Sequence, residues 1–196
     1  MEKVILFDGT STEKWVALDG GGPIAWSVED GAMTVTHGNI YSTETFRDAH
    51  VHVEWREPDM PGHFGQDKGN SGVYLHGCYE LQILDSYGKE NPQCDDCGGI
   101  YSMYKPLTNA SKPALEWQTY DIYFRAPRFD ENGNVVKSAY MTVIQNGICV
   151  QNNIELYRTT PGGMGETQIP EGPLYLQDHG HPVSFRNVWF ERLDEK

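Results

Sequence analysis

The chain reads as an all-β protein: two packed antiparallel sheets, a sandwich of the jelly-roll kind, with long loops. Three observations predict this. No window of eleven or more residues carries an apolar stripe at helical spacing. Short runs with strand character recur instead, broken by Gly, Pro, Asn and Asp. Aromatics reach 12%, with 11 Tyr and 5 Trp beside 21 Gly, a mixture that suits strands and tight turns.

Taken in order, runs 25–29 and 32–36 flank Glu29-Asp30-Gly31, a hairpin signal, because Gly supplies the positive φ such turns demand. Run 50–56 alternates Val51, Val53 and Trp55 against His52, Glu54 and Arg56. Runs 71–76 and 79–85 are joined by a tight turn at Gly77-Cys78. The second alternates strictly, with Tyr79, Leu81 and Ile83 on one face and Glu80 and Gln82 on the other. Run 117–125 sets Tyr120, Ile122 and Phe124 against Asp121, Tyr123 and Arg125. Asn146-Gly147 joins 139–145 to 148–151, and runs 173–177 and 184–192 complete the set. The connections 57–69, 86–99, 105–116, 127–138 and 152–172 read as loops, and loops this long on a sheet scaffold usually serve a site.

The 196 residues fit one domain, 1–196, with no repeat or linker. A formal net charge of −13 argues against a nucleic-acid partner. No stretch approaches the roughly 18 apolar residues of a membrane span. The N-terminal apolar segment is too short for a signal peptide. An initiating Met can also replace a removed leader, so localisation stays open, as does oligomeric state. Cys94-Asp95-Asp96-Cys97 lacks the second pair a zinc site wants, so its cysteines are free or bridged loop residues, with metal binding and redox chemistry as the alternatives.

Polar side chains at alternate strand positions form the candidate site. If the strands are neighbours, one face gathers Glu54, Arg56, Glu80, Gln82, Asp121, Arg125, Gln177, His179 and Arg186. The plainer reading of each is a solvated sheet face, and Arg186 would serve equally as a partner for Glu54 or Glu80. Signatures of nucleophilic serine, P-loop, dinucleotide and His-Glu-x-x-His zinc enzymes are missing. Two carboxylates with a His allow general acid–base chemistry.

Gly69-Asn70-Ser71-Gly72-Val73-Tyr74-Leu75, continued by Tyr79 to Gly88, resembles the family long called domain of unknown function 1080, now the 3-keto-disaccharide hydrolases. So do Trp117-Gln118-Thr119-Tyr120-Asp121-Ile122, Leu176-Gln177-Asp178-His179-Gly180 and Val183 to Trp189, with Leu6-Phe7-Asp8-Gly9-Thr10 at the start. The resemblance implies a concanavalin A/laminin G-like sandwich whose concave sheet binds an oxidised sugar. It also implies cleavage of glycosides carrying a ketone at C3, in members that are often exported. On the matching positions it implies Glu80 as base or metal ligand, with Glu54 its rival, and His179 for proton transfer or metal ligation. Asn70 and Arg186 would hold ketone or hydroxyl oxygens, and Gln82, Gln177 and Tyr101 would line the sugar site. A divalent metal ion on Glu80 and His179 would act as a Lewis acid, although no spacing demands one. His76 and the Cys94–Cys97 loop depart from the family pattern and leave the substrate's identity open. The alternative from another class is a non-catalytic carbohydrate-binding module on the same face.

Overall fold

The computed structural model describes residues 3–193. Its strands are β1 (Lys3–Phe7), β2 (Trp15–Ala17), β3 (Ser27–Glu29), β4 (Ala32–Thr34), β5 (Ile40–Phe46), β6 (Ala49–Arg56), β7 (Ser71–Leu75), β8 (Tyr79–Ile83), β9 (Gln118–Arg125), β10 (Arg128–Phe129), β11 (Val135–Lys137), β12 (Ala139–Gln145), β13 (Ile148–Leu156), β14 (Gly172–Leu176) and β15 (Ser184–Arg192). Eight strands form one sheet in the order β13-β12-β9-β6-β15-β4-β3, with β1 also paired to β15. Five form the other, in the order β2-β5-β14-β7-β8, and β10 and β11 make a separate ribbon. Every strand pairing among the described residues is antiparallel, and the architecture is the expected β-sandwich. Among the described residues no helix is long and apolar enough to cross a membrane.

Strand alternation decides which side chains meet between the sheets. Val51, Val53 and Trp55 of β6 and Tyr120, Ile122 and Phe124 of β9 face inward from the larger sheet. Val73 and Leu75 of β7 and Tyr79, Leu81 and Ile83 of β8 meet them from the smaller one. Ring contacts tie the layers together: Tyr79 to Phe124 at 5.7 Å and Phe46 to Phe190 at 5.0 Å between centroids.

The two hairpin signals hold. Asp30 and Gly31 take φ of +50° and +76°, and Asn146 and Gly147 take +51° and +81°. The turn between β7 and β8 is centred one residue earlier than expected, on His76 and Gly77 at +53° and +66°. Strands β1, β2 and β5 were not expected, and neither was the β10–β11 ribbon inside the 127–138 loop. β2 is three residues long and β10 only two, too short to show alternation. The polar run Ser42-Thr43-Glu44-Thr45 of β5 hides its two buried ends, Ile40 and Phe46.

Candidate functional site

Because Val73, Leu75, Tyr79, Leu81 and Ile83 face the core, Tyr74, Glu80 and Gln82 must point out of the smaller sheet. Water does not reach them freely, since loops fold over this face. Between sheet and loops lies a cleft of about 190 Å³. Six residues singled out from the sequence line it: Asn70, Glu80, Gln82, Tyr101, Gln177 and His179. Four others join them: Gln66, Tyr74, Pro161 and Gly162.

Glu80 is held by its backbone. Its N–H donates to Thr160 Oγ1 at 2.8 Å, and its carbonyl accepts from Tyr101 N at 3.2 Å. Gln82 is fixed in the same way, exchanging backbone bonds with Gly98 and Gly99. Loops 84–117 and 157–171 therefore clasp the outer side of β8. Glu80 is 3% exposed. Burial pushes its carboxyl up to about 7, a rise only partly opposed by the Tyr74 hydroxyl. A carboxyl so placed exchanges a proton near neutral pH.

Around it stand amides whose orientation is settled by their partners. Asn70 Nδ2 donates to the Gln66 carbonyl, and Gln82 Nε2 to the Asp95 carbonyl, groups that can only accept. Gln177 Nε2 donates to Tyr74 Oη. The oxygens of all three amides are buried and have no partner among the described residues. Such orphans cost roughly 1–3 kcal/mol each unless something donates to them.

His179 is exposed, at the mouth of the cleft. Its loop is pinned by Asp178, whose carboxylate accepts from Gly38 N and Gly180 N, both at 2.7 Å. Its neighbour His181 is buried, and Nδ1 accepts from Asn70 N at 2.9 Å. That bond places the neutral ring's proton on Nε2, 3.5 Å from Asp67 Oδ1. Glu80 and His179 are the metal-binding side-chain types in the cleft. Among the described residues no three His, Cys, Asp or Glu come together to hold an ion. A hard cation here would draw its remaining ligands from amide oxygens.

Two expected site residues are elsewhere. Glu54 belongs to β6 and Arg186 to β15, paired neighbours in the larger sheet, where both point away from the core. They bond each other, Arg186 Nε to Glu54 Oε2 at 2.6 Å, and Asn187 Nδ2 adds 2.8 Å to Oε1. Burial acts to raise the Glu54 carboxyl, but hydrogen bonds from Asn187 and Arg186 outweigh it and hold the group below its usual range. This pair lies on the opposite outer surface of the sandwich from Glu80, so the single polar face is corrected to two. Arg56, Asp121 and Arg125 share the Glu54 surface, Asp121 bonding His50 and His52. The cause is strand order. Alternation says which way a side chain points from its own sheet, and carries no information about which sheet that is.

The other open positions are settled structurally. His76 packs against Phe46 and Phe124, with ring centroids 5.3 and 4.7 Å away, and does not line the cleft. Cys94 and Cys97 are unbridged. Cys97 is buried, its thiol pushed up to about 12 by burial, which leaves it a poor nucleophile or ligand. Of the cleft residues not foreseen, Tyr74 was available from its alternation with Val73 and Leu75. Gln66, Pro161 and Gly162 come from loops without local signature.

Residues 2–191 match the family described as a 3-keto-alpha-glucoside-1,2-lyase-like domain. Among solved structures, the chain is 38% identical to a protein of Parabacteroides distasonis provisionally designated a glycosyl hydrolase. The TM-score is 0.89, over 97% of this chain and 84% of that one. A second such protein from the same organism is 23% identical, with TM-score 0.72, over 98% and 94% of the two chains. The carbohydrate-binding module CBM66 of Bacillus subtilis shares the fold at 11% identity and TM-score 0.51, over 91% and 96%. Comparison with curated proteins gives no match. With 190 of its 196 residues inside that match, the chain belongs to the 3-keto-alpha-glucoside-1,2-lyase-like family.

Proposed function

We propose that the cleft binds a sugar ring oxidised at C3 and that Glu80 takes the proton from C2. The observation carrying this reading is Glu80 itself, a carboxylate buried on a fixed strand, with its pKa raised to about 7, among amide oxygens that lack partners. A C3 ketone acidifies the C2–H bond. Proton transfer to Glu80 leaves the electron pair as an enolate on C2, C3 and the ketone oxygen. The pair then re-forms as a C1–C2 double bond while the C1–O bond breaks. The departing oxygen takes a proton, a role we give to His179 or Tyr101 of the cleft lining. Water added back across the double bond makes the net change a hydrolysis. A divalent ion beside the ketone would stabilise the enolate as a Lewis acid.

Membership in a family described by an elimination reaction supports this chemistry, and the P. distasonis resemblance supports a glycoside substrate. A purely sugar-binding role on flat aromatic platforms has less support. In the cleft Tyr74 meets Tyr175 edge-on at 76°. On the far face, Trp117 is covered by Arg186 and Trp189 by Lys3, at 4.0 and 3.5 Å.

The test is incubation with a chromogenic 3-keto-glucoside and its unoxidised parent, with and without chelator. Release from the ketone alone is expected, and Glu80→Gln should lower it at least about a hundredfold. No release from any 3-keto-glycoside would leave the binding module as the better account.

A further inference from the structure

Donors and acceptors are distributed unevenly around the cleft. Among the described residues its lining contains no Lys or Arg. The NH₂ groups of Asn70 and Gln82 are already spent on protein oxygens, and one of the two hydrogens of Gln177 Nε2 goes to Tyr74 Oη. What remains is weighted toward acceptors: the carboxyl of Glu80 and three buried amide oxygens without partners among the described residues, against donors at Tyr101, His179 and the second hydrogen of Gln177 Nε2. A molecule seated among these acceptors is held mainly by supplying hydrogens, as the hydroxyls of a sugar ring do. A carboxylate or phosphate would bring more acceptors and meet no Lys or Arg of the described lining, in a protein of net charge −13.

The space is also tightly bounded. A Cβ on Gly162 would stand 2.8 Å from Tyr74 Oη, and one on Gly72 would stand 2.8 Å from Glu80 Oε1. At about 190 Å³ the cleft is smaller than the roughly 300–1,000 Å³ of pockets for drug-sized molecules. It suits one ring rather than a chain.

We infer that the cleft selects a single neutral sugar ring with free hydroxyls and rejects uronic acids and sugar phosphates. This rests on the carbohydrate reading of the same cleft, and it names the class of sugar. Discrimination comes from two sources. Hydroxyls bring hydrogens to a lining weighted toward acceptors. An anionic substituent is placed beside Glu80 in a site with little water to screen it.

The deciding measurement compares kcat/KM for a matched pair, a 3-keto-glucoside and the 3-keto-glucuronide with the same leaving group. The glucuronide should be about a hundredfold poorer, and Gln177→Lys should narrow that gap by about tenfold by supplying a cation at the half-buried rim position. Cleavage of both by the unmodified protein within about tenfold overturns the inference while the proposed reaction stands. If neither is cleaved, the reaction proposal fails, and titration calorimetry with methyl glucoside and methyl glucuronide decides the class. Preferential binding of the glucoside upholds it. Equal binding, reversed preference or no binding of either overturns it.

Discussion

Gly72 gives the carboxylate of Glu80 its room: a methyl at Gly72 would lie 2.8 Å from Glu80 Oε1 and 2.9 Å from a ring carbon of Tyr74. The two residues sit on adjacent strands, with Gly72 opposite Gln82 and Tyr74 opposite Glu80. Gly72 does not have positive φ, so alanine meets no backbone strain there. The side chains must yield, and the end of a glutamate yields easily. Gly72→Ala should therefore fold, at a cost of about 1–3 kcal/mol for overpacking. It should lose roughly tenfold to a hundredfold in kcat/KM through a displaced carboxylate. Thermal unfolding and turnover measured on the same preparation check this.

With Glu80 titrating near 7, kcat/KM should climb with pH through about 7 and level off above it, since the base acts when deprotonated. In Glu80→Gln that rise should vanish from whatever activity is left. A rising limb centred near 4.5 in the parent protein would assign the base to a less buried carboxyl.

Stability should run the other way. Glu57 is also buried, accepting from Trp55 Nε1 and Gln118 Nε2, and burial raises its carboxyl to about 7. Between about 4.5 and 7 the folded state holds protons at Glu57 and Glu80 that the unfolded chain has released. The stability associated with those protons is complete below about 4.5 and is lost as pH rises through 7, at most about 3 kcal/mol for each group. The lowered carboxyls of Asp48, Glu54 and Asp121 act in the opposite sense, but at more acidic pH. Urea unfolding at pH 5 and pH 8 should show the folded state weaker at pH 8, with a smaller difference in Glu80→Gln.

Arg186→Gln tests the separation of the two faces. The pair with Glu54 is partly exposed, with 42% of the Arg186 side chain accessible, so its loss should cost only about 1 kcal/mol. Turnover should stay within about threefold of the parent. A hundredfold loss would tie the far face to the reaction.

Much of this was legible in the sequence where spacing carries physical meaning. The order Tyr79-Glu80-Leu81-Gln82-Ile83 told which side chains leave the core, and Asp30-Gly31 and Asn146-Gly147 marked two turns by the φ they permit. Spacing could not tell that β6 and β15 pair in one sheet while β7, β8 and β14 lie in the other, because pairing between distant strands is set by the packed whole. That is why Glu54 and Arg186 looked like companions of Glu80. Gln66 and Gly162 were hidden for another reason: loop residues acquire a role from what they fold against, and a loop has no period to read.

β8 ends its sheet, and a terminal strand ordinarily offers bare amides and carbonyls to any passing polypeptide. In this molecule Thr160, Tyr101, Gly98 and Gly99 have already taken those groups. The strand bearing Glu80 is thereby closed to recruitment by a neighbouring molecule, so crowding the protein to high concentration should not draw it into intermolecular sheets at this position.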